Sequence, residues 1–132
     1  MQINSHLSVI VHDLAKEYGS KKALTFRNFG SLKWLSVDWN QFSLRVKQVS
    51  NAMLNLGLKP KDKIAVFSQN CIHYLYTDFG AYGIKVISIP FYATSSEQQI
   101  QYMVQDAEVK IICVGDQEQY DKAHRIFPLC PA

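Results

Sequence analysis

The sequence predicts an α/β fold: a parallel βαβαβ sheet with helices on both faces and an N-terminal β-hairpin. Three observations carry this reading. The runs Lys63–Ser68, Val86–Ile89 and Val109–Val114 are short, apolar and rich in β-branched residues. Segments of helical periodicity separate them, and the short connections require parallel strands joined by right-handed crossovers. Ahead of them, Ala23–Arg27 and Lys33–Val37 read as two strands around the turn Asn28-Phe29-Gly30-Ser31.

The elements follow in order. A first helix is expected from about Ser5 to Tyr18, with Leu7, Ile10, Val11, Leu14 and Ala15 as its apolar stripe and Gly19 as its C-terminal stop. After the hairpin, Trp39 to Leu56 is the strongest helix, because Phe42, Val46, Val49, Met53 and Leu56 recur on one face. Asp38 with Gln41 forms a capping box, Val37 with Phe42 a hydrophobic staple, and Gly57 ends the helix. Lys59-Pro60-Lys61-Asp62 then turns into the first parallel strand. Asn70 is expected to cap the next helix, with Ile72, Leu75, Phe79 and Tyr82 on a shared face and Gly80 and Gly83 allowing close packing on the sheet. Val86 to Ile89 suits a buried strand, ended by Pro90 for want of an N–H. Ser95 with Gln98 sits at capping-box spacing before a helix from about Ser96 to Ala107, with Ile100, Met103, Val104 and Ala107 inward. A last helix follows Gly115-Asp116, bearing Tyr120, Ala123 and Phe127, and ends at Pro128 and Pro131.

Composition bounds the class. The 132 residues are 48% hydrophobic and 19% charged, the balance of a globular domain able to bury a core. The formal charge of +3 is spread along the chain with no basic block, giving no reason to expect nucleic-acid or membrane binding. Cys71, Cys113 and Cys130 are odd in number and lack CxxC spacing, which points to reduced thiols and a cytoplasmic location. Neither a signal peptide nor a membrane-spanning run is expected, since Lys85 and Pro90 break the longest apolar stretch.

Searches for chemistry return little. His6, His12, His73 and His124 form no HExxH motif and no zinc-finger spacing. Neither GxGxxG nor GxxxxGK[ST] occurs. Thr94-Ser95-Ser96, before a helix after a parallel strand, is the one tempting anion site, although ordinary N-capping accounts for it better. No GxSxG surrounds a serine, and Cys71 has no activating base in sequence. Asp78 sits in an apolar helix, where the solvent edge is its expected place, and Asp62 belongs to a turn. No catalytic, cofactor-binding or metal-binding residue is assigned.

Four segments carry a family resemblance. Val37-Asp38-Trp39-Asn40-Gln41-Phe42 is similar to the Thr-aromatic-x-Glu-Leu opening of the first long helix in the adenylate-forming (AMP-binding) enzymes. Leu56 to Val66 resembles their Leu-Gly-hydrophobic turn and the Gly-Asp-basic-Val-Ala strand after it. Asn70 resembles the Asn that opens the next helix, and Ile89-Pro90-Phe91-Tyr92-Ala93-Thr94-Ser95-Ser96 looks most like long-chain fatty acid–CoA ligases. Lys61 stands where the family usually has Gly, and Lys85 near the glycine that commonly precedes the buried strand. The resemblance implies that residues 1–132 are the N-terminal portion of an adenylate-forming domain, truncated before its phosphate-binding loop.

It also implies a parent enzyme that uses ATP, Mg²⁺ and CoA to convert a fatty acid through its acyl-adenylate to an acyl-CoA, with this portion serving as scaffold. Expected partners are the rest of that enzyme and, through an unpaired strand edge or exposed apolar surface, a second copy. Another acyl- or aryl-adenylating enzyme, an amino-acid-activating enzyme, and a free-standing non-catalytic α/β module are the competing readings.

Overall fold

The computed structural model describes residues 6–28 and 30–130, so the expected helix start at Ser5, Phe29 of the turn and Pro131 lie outside it. In order the elements are α1 (Leu7–Tyr18), β1 (Lys22–Arg27), β2 (Trp34–Asp38), α2 (Trp39–Asn55), β3 (Lys63–Phe67), α3 (Ile72–Gly83), β4 (Ile87–Phe91), α4 (Glu97–Ala107), β5 (Ile111–Val114) and α5 (Gln117–Ile126). A 3₁₀ turn, Phe127–Leu129, closes the described chain.

β1 and β2 pair antiparallel as a separate hairpin, while β4-β3-β5 form a parallel sheet with β3 in the middle. The expected fold class is therefore the observed one. β3 is the spine: Ile64, Ala65, Val66 and Phe67 are at most 2% exposed. Its side chains alternate between two cores. Ile64 and Val66 meet Met53, Leu58, Ala81 and Val86 beneath α2 and α3. Ala65 and Phe67 meet Phe91, Ile100, Val104 and Ile126 beneath α4 and α5. A third cluster, built on Val11, Phe42, Val46, Ile72 and Tyr76, joins α1 and the hairpin to α2 and α3.

Several local expectations are corrected. Pro90 does not end β4 but lies within it, in register with Val66. Ile87 N–H donates to Asp62 O at 2.8 Å, so alternate residues Ile87, Ile89 and Phe91 aim their backbone groups at β3. Ser88 and Pro90 therefore face the free edge, where a missing N–H costs no ladder bond. As an edge strand β4 is not fully buried, and Ile87 is 46% exposed. α4 is capped one residue later than expected, by Ser96 with Gln99. α3 has Cys71, not Asn70, at its N-cap, and no side chain caps it. Its buried face is Ile72, Tyr76 and Gly80, with Leu75 exposed.

In α5 the inward residues are Gln119 and Ile126, while Tyr120 and Phe127 face outward. Leu56 is 70% exposed, because α2 ends at Asn55 and Gly57, at φ +87°, turns the chain so that Leu58 fills the core instead. Gly80 and Gly83 open space for α2, not for the sheet: a Cβ at Gly80 would lie 2.7 Å from Val49 Cγ1 and 3.3 Å from Ser50 N. Ser50 Oγ donates to Gly80 O at 2.8 Å across the same contact.

Lys61 and Lys85 both have left-handed backbones, at φ 74° and 60°, and Lys61 N–H donates to Lys85 O at 2.8 Å. At Lys61, where the resemblance puts a glycine, lysine holds the left-handed conformation. Two stability predictions follow from these contacts. Gly80→Ala should lower stability by about 1–2 kcal/mol, an overpacking cost partly offset by alanine's helix propensity. Lys61→Gly should raise it by about 0.5 kcal/mol, left-handed strain relieved less the extra freedom of the unfolded chain. Urea denaturation of the three proteins checks both.

Candidate functional site

In an open parallel sheet, the chemistry-bearing edge is the one at the carboxyl ends of the strands, above all where successive connections leave to opposite faces. Here that point lies between β3, whose chain passes to α3, and β5, whose chain passes to α5 on the other face. The crevice is built from Ser68, Gln69 and Cys71 after β3, and from Gly115, Asp116 and Gln119 after β5.

It is closed by its own polar groups. Gln119, 2% exposed, turns its Oε1 back to accept from Gly115 N–H at 3.0 Å and Asp116 N–H at 3.1 Å. Asp116 Oδ1 in return accepts from Gln119 N–H at 2.8 Å, a capping box like those at Asp38–Gln41 and Ser96–Gln99. Ser68 Oγ donates to Gln69 O at 2.8 Å and lies 3.7 Å from Cys71 Sγ. Ser68 approaches Gly115 so closely that a Cβ there would meet its Oγ and Cβ, which explains the glycine. The N–H groups of Gly115 and Asp116, which open α5, are thus satisfied within the chain.

The hydroxyl cluster after β4 behaves the same way. Ser96 Oγ accepts from Gln99 N–H at 3.3 Å, Gln99 Oε1 accepts from Ser96 N–H at 2.8 Å, and Ser95 is buried. This is N-capping, as weighed from the sequence. The histidines stand apart: His6 pairs with Ser8, His12 Nδ1 lies 2.7 Å from Ser43 Oγ, and the rings of His73 and His124 rest against Tyr76 and Tyr120. Burial and nearby Lys47 lower the His12 pKa. No three His, Cys, Asp or Glu side chains among the described residues are placed to share a metal ion. A cleft of about 440 Å³ opens between Leu24, Thr25 and Phe26 of the hairpin and the start of α3, with Asp78 at its wall, but it is shallow and wide. These residues do not fit a nucleoside triphosphate or its Mg²⁺.

Asp62 belongs to its turn, accepting from Lys59 N–H at 2.7 Å and pairing with Lys110 Nζ at 2.7 Å. The Lys110 contact, then the Lys59 N–H, hold its pKa below the usual range. Asp78 is not on the solvent edge but half-buried between α3 and β4, where Ser88 Oγ donates to its Oδ1 at 2.6 Å. Burial raises its pKa, against the smaller downward pull of the Ser88 bond.

Gln119 is the residue that sequence reasoning missed. The Asp116-x-x-Gln119 spacing was the available signal, masked because a glutamine is not expected in a core.

The fold and this edge can now be set beside known proteins. The chain superposes on the fatty acyl CoA synthetase of Mycobacterium tuberculosis with a TM-score of 0.81 at 12% identity, covering 92% of this chain and 23% of that one. On a benzoate CoA ligase from Burkholderia xenovorans the TM-score is 0.82 at 12% identity, covering 93% and 24%. Likeness at such identity establishes the fold shared with acyl-CoA synthetases. The AMP-binding enzyme family model matches residues 11–131, and the chain belongs to that family. Its curated relatives include the long-chain-fatty-acid–CoA ligase ACSBG1 of Bos taurus, 28% identical over 87% of this chain and 16% of that protein. Fatty acyl-CoA synthetase B of Dictyostelium discoideum is 28% identical over 71% of the chain and 15% of that protein. The chain thus spans less than a fifth of either relative's length.

Two predictions test the site's chemistry. A folded pKa raised above the unfolded value means that Asp78 favours folding fully only below the unfolded carboxylate pKa, and that this is lost as pH rises through the folded one. Asp78→Asn, which keeps an acceptor for Ser88, should therefore melt above the native chain at neutral pH, with the gap closing as pH falls through the carboxylate range. Gln119→Leu removes the acceptor of Asp116 N–H, while Gly115 N–H keeps Phe67 O, and should cost about 1–2 kcal/mol in urea denaturation.

Proposed function

We propose that this chain is the N-terminal, scaffold portion of an AMP-forming fatty acid–CoA ligase, preferentially long-chain, and that it precedes the parent's phosphate-binding loop. The parent activates its acid with ATP and Mg²⁺ as an acyl-adenylate, releasing pyrophosphate, and the thiol of CoA then displaces AMP. The observation that carries the long-chain reading is the alignment of most of this chain with long-chain-fatty-acid–CoA ligases, including 96% of it with the ACSBG1 protein of Rattus norvegicus. The Gly115 and Asp116 N–H groups that Gln119 takes up support a structural role for this portion. Three free cysteines support a cytoplasmic location.

The test has two arms. The 132-residue chain alone is expected to show neither fatty-acid-dependent ATP–pyrophosphate exchange nor ATP binding at micromolar affinity by calorimetry. Stoichiometric ATP-dependent acyl transfer by the chain alone overturns its scaffold role. The parent protein, expressed from the continuing reading frame, is expected to show its highest kcat/KM with a long-chain fatty acid rather than benzoate, an amino acid or a short-chain acid. A preference for an aryl or amino acid overturns the substrate reading and leaves the family intact. An immediate stop codon after Ala132 overturns the parent reading in favour of a free-standing module.

A further inference from the structure

α1 has few ties to the rest of the fold. It opens at His6 with no side-chain cap and no acidic residue in its first turn, whereas α2, α4 and α5 each open on a capping box. It joins neither sheet and packs chiefly on α2 and α3, with Val11 and Ala15 as its buried residues. Among the described residues, one side-chain hydrogen bond ties it to another element: His12 Nδ1 lies 2.7 Å from Ser43 Oγ of α2. Ser43 is itself buried, beside Phe42 and Val46 on the face that α2 turns to the core. A terminal helix with few buried contacts opens locally at less cost than the body it covers.

A neutral imidazole accepts at Nδ1 from the Ser43 hydroxyl. A protonated ring carries N–H at both nitrogens, so the hydroxyl must turn its own proton elsewhere. The charges that act on the ring are mostly of the sign it would acquire. Lys47 stands one turn beyond Ser43 on α2, and Lys16 one turn beyond His12 on α1. Asp13 is the one opposing charge in this set, and it is already bonded to Lys16 at 3.1 Å. α3, the other helix against α1, adds no charge to it. Burial first, and Lys47 next, therefore favour the neutral ring.

We propose that His12 is a pH-sensitive latch on α1: neutral, it seats the helix on α2 through Ser43, and protonated, it loosens the helix while the β4-β3-β5 body stays folded. The neutral ring favours docking fully above the unfolded histidine pKa, and that contribution is lost as pH falls through the folded one. Loosening uncovers the cluster of Val11, Phe42, Val46, Ile72 and Tyr76, and leaves the two cores of the parallel sheet closed. Asp78 carries the opposite sign, since its raised pKa favours the folded α3–β4 contact as pH falls. Acidification thus acts in opposite directions on the two sides of α3.

The test is hydrogen exchange of the 132-residue chain by mass spectrometry, from about pH 7.5 to about pH 5.5, with exchange times scaled for the intrinsic rate. Protection of the α1 amides is expected to fall severalfold across that range while β3 keeps its protection. His12→Gln, which keeps a side-chain acceptor for Ser43, should hold α1 protection level throughout. Lys47→Gln should lessen the loss, because one of the two repelling cations is gone. In proton NMR of the native chain, the His12 ring should titrate below the ordinary histidine value of about 6.5. A ring that titrates at or above that value overturns the proposal without need of a variant. An equal loss in the native chain and in His12→Gln assigns the effect to His6 or to carboxylates, and overturns it too. Loss shared equally by α1, α2 and β3 is global unfolding and leaves no latch.

Discussion

Every part of the α/β body hangs on β3. Among the described residues it is the one strand of its sheet with a partner on both sides, and its residues from Ile64 to Phe67 are almost wholly withdrawn from water. Each side chain there belongs to one of two cores, so a one-residue slip would exchange Ile64 and Val66 with Ala65 and Phe67 and leave both cores wrongly filled. That constraint fixes the register of β4 and β5, and with it the height at which α3, α4 and α5 begin. The capping boxes then set the helix starts: reciprocal bonds from Ser96–Gln99 and Asp116–Gln119 open α4 and α5 after β4 ends at Phe91 and β5 at Val114.

Much of this architecture was legible in the sequence, because it rests on local signals of known period. The β-branched runs marked the three strands, and the spacing of Phe42, Val46 and Met53 marked α2 with its Asp38 box. What stayed hidden depended on contacts remote in sequence. Pro90 reads as a terminator until β4 is known to be an edge strand with Pro90 aimed outward. Gly80 reads as a sheet contact until Val49 of α2 is found against it. Tyr120 and Phe127 read as core by hydrophobicity alone, yet α5 turns Gln119 and Ile126 inward, because a satisfied amide buries more cheaply than a broken cap.

The candidate site was less legible than the fold. The hydroxyl cluster Thr94-Ser95-Ser96 was visible and its capping role was weighed correctly, though one residue out of register. The crevice between β3 and β5 was invisible, since its closure depends on Ser68, Gly115 and Gln119 meeting from separate elements. Fold likeness is indifferent to substrate: an aryl-acid ligase and a fatty acyl ligase superpose on this chain equally well. Selectivity between such acids belongs to residues other than the backbone frame described here.

The outward-facing Pro90 has a consequence for how the sheet grows. Along the outer side of β4 only Ser88 offers an N–H, so an incoming strand finds a broken row of donors. β5 carries no proline and keeps its outer donors whole. The sheet therefore has a dead side at β4 and a live side at β5.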